Sequence, residues 1–353
     1  FLKVSSLLFI ILTLLSSKAF AGVTFNDING DGTGFDVSSQ DTAPMGLAFN
    51  TDGTKMFVVG YTGKDVNEYT LTTGFDLSTA RFNDINGDGT GFDVSSQETQ
   101  PYGLAFNTDG TKMFVLGYNG DDVNEYTLTT GFDLSTASFN DINGDGTGFD
   151  VNSQEGAPYG LAFNTDGTKM FVVGTVGDDV NEYKLTTGFD VSTASFNDIN
   201  GDGTGFDVSS QDTGPISLTF NSDGTKMFVV GAVGDDLNVY TLSTGFDVST
   251  ASFVDSFDLS SQDAIPTGLA FNTDGTKMFV GGSNDDDVNE YTLSTGFDVV
   301  NTTPTLSSSS PADGATGVGA DDNIVLTFSE AVDAESGNIL IKKSSDDSTV
   351  ETI

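Results

Sequence analysis

Short apolar runs separated by polar turns recur at a fixed distance along this chain. The stretch from Gly46 to Gly60, Gly-Leu-Ala-Phe-Asn-Thr-Asp-Gly-Thr-Lys-Met-Phe-Val-Val-Gly, reads as two strands joined by an Asp-Gly turn. That turn begins at Asp52, Asp109, Asp166, Asp223 and Asp274, so successive copies lie 57, 57, 57 and 51 residues apart. A period of this length marks an architecture in which each copy is one supersecondary unit. In the second copy the pattern predicts strands at Gly103–Phe106, Lys112–Leu116, Val123–Leu128 and around Ala137–Phe139, the last continuing toward Phe149-Asp150-Val151. Met113–Leu116 is apolar on both faces, as a strand between neighbouring sheets should be. Val123–Leu128 is mixed and is expected to be more exposed.

Four strands per copy, Gly-rich punctuation and no helix between copies predict an all-β chain in which five blades of about 57 residues form a β-propeller over residues 22–300. The first copy opens with Val23-Thr24-Phe25 and the fifth ends at Val299 without an equivalent strand, so the N-terminal strand is expected to complete the last blade. An open solenoid, or a larger ring if copies lie outside this sequence, is the alternative arrangement. The GLAFNTDGTKMFVVG and GDDVNEYTL phrases resemble the blade hairpins of secreted bacterial propellers of the lactonase-like and NHL-like kind. Those families include enzymes, scaffolds and adhesins, so the resemblance implies a fold rather than a chemistry. Past a linker at 301–304 the composition changes. Residues 305–353, with Pro304–Gly317 and Asn323–Val332, resemble the bacterial Ig-like domains of surface-layer and adhesive proteins, and cover about half of a ~100-residue sandwich.

Composition places this architecture outside the cell. Residues 1–21 combine Lys3, an apolar run from Val4 to Leu15 and an Ala19-Phe20-Ala21 ending, the pattern of a secretory signal peptide, and no transmembrane segment is expected once it is cleaved. The Phe at position 1 and the strand-like Thr349–Ile353 ending suggest a piece of a longer protein. There is no Cys, so no disulfide holds an exported fold together. With 52 Asp and Glu against 12 Lys and Arg, the formal net charge is -40. Such a surface repels nucleic acid and anionic lipid, attracts cations and basic partners, and suits salty surroundings equally well.

The sharpest chemical motif is Asp27-Ile-Asn-Gly-Asp-Gly32, repeated from Asp84, Asp141 and Asp198. Oxygen ligands at positions 1, 3 and 5 with Gly at 6 form the front half of a calcium loop. The candidate ligands are Asp27, Asn29 and Asp31; Asp84, Asn86 and Asp88; Asp141, Asn143 and Asp145; and Asp198, Asn200 and Asp202. The loops resemble those of EF-hand-like, dockerin and integrin-type propeller sites. Position 12 is Ser38, Ser95, Asn152 or Ser209 rather than Glu, which makes weak sites the expectation. A Gly-rich turn built on Asn-Gly and Asp-Gly explains the same residues without a metal. One copy lacks the loop: Phe253-Val-Asp-Ser-Phe-Asp258 stands where the preceding copy has twelve residues from Phe196 to Asp207. The loop is therefore an insertion that a blade can do without, and the Asp that follows each Phe at its end (Asp36, Asp93, Asp150, Asp207) reads as a local turn residue.

Acidic residues after each second strand, Asp122, Asp179 and Asp236 among them, are expected to ring one face of the propeller, unless they only favour tight turns and solubility. The copies differ on that same face, at the residue after Pro (Met45, Tyr102, Tyr159, Ile216, Thr267) and in the loop after the second strand (Tyr61, Tyr118, Thr175, Ala232, Ser283). Loops that diversify on a fixed scaffold are where binding sits, which makes Tyr61, Tyr102, Tyr118 and Tyr159 candidates for contact with a sugar or protein; drift at unconstrained loops would give the same pattern.

Without His or Cys the chain lacks the commonest general base and the thiol nucleophile, and near-identical blades offer near-identical carboxylate environments. The sequence therefore predicts a secreted or cell-surface protein without catalytic activity, stabilised by calcium and binding an extracellular glycan or protein through repeated weak contacts. The alternative is a calcium-dependent hydrolase of lactonase or glycosidase type.

Overall fold

The computed structural model describes residues 22–299 and, in the C-terminal segment, 306–311, 325–328, 340–342 and 349–352. Residues 1–21, read above as a signal peptide, and 301–304, read as a linker, lie outside the described residues.

Each hairpin of the repeat forms because its turn satisfies itself. Asp52 Oδ1 accepts from the Thr54 N–H at 3.0 Å and from its hydroxyl, and Asn50 Oδ1 accepts from the Lys55 N–H at 2.9 Å. Gly53 sits at φ 71, a left-handed conformation, and a Cβ there would strike the ring of Phe75, so both backbone and packing require glycine. The hairpin continues into a four-stranded antiparallel blade. In blade 1 the strands are Pro44–Phe49, Lys55–Gly60, Asp65–Leu71 and the short Ala80–Phe82 with Phe92–Asp93. Blades 2, 3 and 4 begin at Pro101, Pro158 and Pro215 and repeat this order.

The ring closes with five blades, as expected. Blade 5 supplies Pro266–Phe271, Lys277–Gly282 and Asp287–Leu293, and the N-terminal strand Val23–Phe25 pairs with the last of these through Val23 with Leu293, Thr24 with Thr292 and Phe25 with Tyr291. The first strands of all five blades pack side by side around the axis, that of blade 5 against that of blade 1. Second strands are the core of the blades: Met113, Phe114, Val115 and Leu116 are fully buried, and the same holds in every copy.

One expectation is corrected here. The third strand is buried, including Glu125 at 1% exposure, because the next blade and the outer strand cover it from both sides. Its charge is compensated by Lys112, whose Nζ lies 2.7 Å away, and by the Asn140 amide. Glu68, Glu182 and Glu290 repeat the ion pair, while blade 4 carries Val239 there. These lysines also tie the blades together. Lys55, Lys112, Lys169, Lys226 and Lys277 each donate to the carbonyl of a Phe in the next blade, Phe132, Phe189, Phe246, Phe297 and Phe75, at 2.5–2.8 Å, a complete circuit of the ring. The five Phe residues hold φ of 56 to 58, which presents those carbonyls at a cost of about 1 kcal/mol or more each for a bulky side chain in the left-handed region.

Among the described residues of the C-terminal segment, Leu306–Ser310 pairs with Val325–Phe328 and Leu340–Lys342 with Thr349–Thr352, both antiparallel.

Candidate functional site

Pro44, Pro101, Pro158, Pro215 and Pro266 open the first strands, and the ladder shifts register directly after each of them. A proline has no N–H to donate, and a bulge re-aims the neighbouring side chain. The residues so placed, Met45, Tyr102, Tyr159 and Ile216, line the mouth of the central channel. The narrow channel holds about 20 Å³, room for no more than about one water. The channel itself is therefore too small for a ligand, and the surface open to one is the mouth and its rim.

The candidate tyrosines meet there. Tyr102 and Tyr159 stack with centroids 4.7 Å apart and planes 20° apart. Tyr118 stands 5.3 Å from Tyr102 and 5.4 Å from Tyr159, at 67° to the latter, and Tyr61 approaches Tyr102 at 6.2 Å. Tyr61 is 40% exposed and the other three are half-buried. Burial, with neighbouring tyrosines and the Glu98 charge, pushes the Tyr102 phenol up to about 12, so at neutral pH it is a hydrogen-bond donor with an intact aromatic face. Blades 3 to 5 complete the rim with Val176, Val233 and Ile265, at 68%, 68% and 46% exposure. Their loops make this face aromatic over one half and aliphatic over the other.

The acidic candidates belong elsewhere. Asp122 and Asp179 are 4% exposed, and Asp236 is half-buried, so they do not form an exposed ring. Each opens a third strand with its side chain turned under the loop. Asp122 accepts from the Gly148 N–H at 2.8 Å and from Asn124 Nδ2, Asp179 does the same with Gly205 and Asn181, and Asp236 takes Asn238 Nδ2. Asp122 and Asp179 staple the outer strand to the third strand, and burial pushes all three carboxyls up. Sequence reasoning missed a second buried set, Asp41, Glu98, Glu155, Asp212 and Asp263. Asp41 takes the Ala43 and Gly63 N–H groups, and Glu98 those of Gln100 and Gly120, which joins the two loops of the tyrosine face. The signal was present: an acid stands three residues before each of the five prolines while its surroundings change.

The DINGDG loops lie in the outer strands of blades 5, 1, 2 and 3, whereas blade 4 runs unbroken from Ala251 to Asp258. This agrees with their reading as insertions. Asp27 Oδ1 accepts from the Gly30 and Asp31 N–H groups, and Asp31 Oδ1 from Thr33. Asn29 commits its nitrogen to the Gly34 carbonyl. The triads starting at Asp84, Asp141 and Asp198 repeat this arrangement. Among the described residues no three acidic side chains gather closely enough to hold a metal. The local turn role of Asp36 and its equivalents is visible in Ser38 N–H donating to Asp36 Oδ1 at 2.8 Å.

Residues 300–353 match the family model of the bacterial Ig-like domain. No curated protein matches the chain. Among solved structures the fold is similar to a proposed 6-phosphogluconolactonase of Bacteroides uniformis, with 12% identity, TM-score 0.42, 70% of this chain covered and 65% of that one, so this chain spans under two thirds of its length. It is also similar to a luciferin-regenerating enzyme, with 14% identity, TM-score 0.45, and 76% and 98% covered. A third is a protein of Desulfotomaculum acetoxidans described as functionally unknown, with 16% identity, TM-score 0.41, and 80% and 74% covered. Two of these neighbours are named as enzymes, so the expectation of a chain without catalysis is withdrawn. No helix among the described residues is long and apolar enough to cross a membrane.

Proposed function

We propose that this chain is an extracellular bacterial repeat protein whose propeller captures a ligand, glycan or protein, on the tyrosine-lined face, with the Ig-like segment as spacer toward the cell surface. The observation that carries the reading is convergence. Tyr61, Tyr102, Tyr118 and Tyr159 come from three blades, and four of the five exposed large hydrophobic residues among the described residues of the propeller, Tyr61, Val176, Val233 and Ile265, lie on this one face. Exposed aromatic and aliphatic groups grouped around a shallow mouth are what a surface-bound ligand requires. The full chain on a glycan and cell-surface protein array should show binding that falls about tenfold in a Tyr102→Ala, Tyr159→Ala double variant of unchanged melting temperature. Silence across the array, or hits indifferent to both substitutions, would overturn the reading.

Calcium at the four DINGDG loops belongs to the same proposal. Asp27 and Asp31 with their equivalents would hold the ion, in competition with the loop's own N–H donors, so the expected affinity is weak, about 10⁻⁴–10⁻³ M as in other extracellular modules. With all four loops occupied, about 10 mM calcium should then raise the melting temperature by about 10 °C or more over that in chelator. An unchanged midpoint removes calcium from the account and leaves the tyrosine face untouched.

A further inference from the structure

Charge is distributed unevenly about the propeller. Lys55, Lys112, Lys169, Lys226 and Lys277 begin the second strands at the end remote from the tyrosines and are committed to Phe carbonyls. Arg81 pairs in register with Thr70 and Lys184 with Lys169, at that same end. Among the described residues of the propeller only Lys64 lies in the loops of the tyrosine face. Beneath those loops sit Asp41, Glu98, Glu155, Asp212 and Asp263, with the acids that open the third strands.

An aromatic face carries partial negative charge and attracts a cation within about 6 Å of the ring centroid. Tyr102 stacks on Tyr159, and Tyr118 packs against both at 5.3 and 5.4 Å, so the three half-buried rings form one aromatic cluster whose exposed surface looks onto the rim. The carboxylates below add a field of the same sign, and the Glu98 charge acts on the Tyr102 phenol. Low-dielectric walls lined by one sign of charge focus that field. The formal net charge of -40 argues against an anionic lipid surface or a nucleic acid and for a partner of opposite sign. The rim residues Val176, Val233 and Ile265 offer apolar surface, on which the methylene stems of long basic side chains can lie.

We propose that the tyrosine face docks a basic protein segment, with a lysine ammonium over the exposed aromatic surface of the Tyr102, Tyr118 and Tyr159 cluster and the stems of neighbouring basic side chains on the aliphatic half of the rim. This rests on the reading of that face as the binding surface and names the partner's chemistry. The test is calorimetric titration of the full chain with a synthetic lysine-rich peptide and with the same peptide acetylated on its lysines, at low and physiological salt. The wild-type chain binds the unmodified peptide, more weakly as salt rises, and the acetylated peptide loses at least about tenfold in affinity. The Tyr102→Ala, Tyr159→Ala double variant, whose formal charge is unchanged, loses about tenfold as well. Equal binding by the double variant means diffuse charge attraction and overturns the proposal. Equal binding of both peptides, with dependence on the tyrosines retained, also overturns it, while leaving the face itself as a site for neutral ligands. Failure of any peptide to bind, with tyrosine-dependent capture of glycans or of choline-bearing neutral vesicles instead, rejects the basic segment and keeps the face. If no ligand depends on Tyr102 or Tyr159, both readings fall together.

Discussion

A chain that begins at Asp27 should melt about 5–8 °C lower than one that begins at Gly22, and should aggregate on heating. The five residues removed carry the first part of the outer strand of blade 5, Val23–Phe25, and leave Phe35–Asp36 in place. Their loss breaks the pairs of Val23, Thr24 and Phe25 with Leu293, Thr292 and Tyr291. It also uncovers Tyr291, against which the Phe25 ring packs at 5.7 Å, and strips the Asn26 amide from Glu290 Oε1 at 2.7 Å. Lost burial of the Phe25 side chain contributes about 2 kcal/mol, and the unpaired edge and the partly orphaned, buried Glu290 bring the total to about 3–5 kcal/mol. The control is deletion of six residues from the loop within Asn83–Phe92, to mimic the unbroken outer strand of blade 4, Ala251–Asp258. That variant should stay within about 3 °C of the parent, because a blade without the loop is already part of this ring. Differential scanning calorimetry of the three chains checks the pair. Equal midpoints for the two starting residues would mean that the N-terminal strand does not fasten the ring.

Acidification from about pH 7.5 to about pH 5, with chelator present, should raise the melting temperature by about 5 °C or more. Burial pushes the carboxyls of Asp41, Asp65, Asp122, Glu155, Asp179, Asp236 and Asp263 up, and brings Asp287 to about 6, with Asp263 and Asp285 adding like-charge repulsion. A carboxyl whose folded value lies above its unfolded value binds its proton more tightly in the folded chain. Its contribution to stability is complete below the unfolded value near 3.8 and is lost as the pH rises through the folded one. For Asp287 that window runs from about 4 to about 6, and the others act in the same direction. The exposed turn acids Asp52, Asp109, Asp166, Asp223 and Asp274 have the opposite sign, since their Thr partners hold them below 3.8. Their support is lost as the pH falls through those lowered values, so the curve should turn over below about pH 4. Melting curves across this range decide the matter. A midpoint that falls steadily from neutrality would show that the buried acids are not strained by their charge.

The ring, its five blades and its closure were legible in the sequence because the chain repeats itself. A turn as specific as Asp52-Gly53-Thr54-Lys55, seen five times, sets strand order and period together. The grouping of Tyr61, Tyr102, Tyr118 and Tyr159 was legible for the same reason, since the period maps variable positions from different blades onto one face. Burial of charge was not. Glu125 sits in a mixed pattern that reads as surface, and only the arrival of Lys112, Asn140 and the Val191 N–H makes its burial affordable. Asp122 and Asp179 read as exposed loop acids, yet their partners are the N–H groups of Gly148 and Gly205, 26 residues away and without any side chain to mark them. A backbone donor leaves no trace in a sequence pattern, which is also why Asp41 and its equivalents went unseen.

The circuit of lysine-to-carbonyl ties has a mechanical meaning. All five seams between blades carry the same Lys Nζ to Phe carbonyl bond, including the seam between blade 5 and blade 1. The break in the chain falls inside blade 5, between its third and outer strands, and so coincides with no seam. The propeller is in effect a hoop whose clasp sits within one stave, so a load spreading the blades meets one of these ties at every joint. The clasp itself is two short ladders on the third strand of blade 5, Val23–Phe25 and, past the loop, Phe35–Asp36.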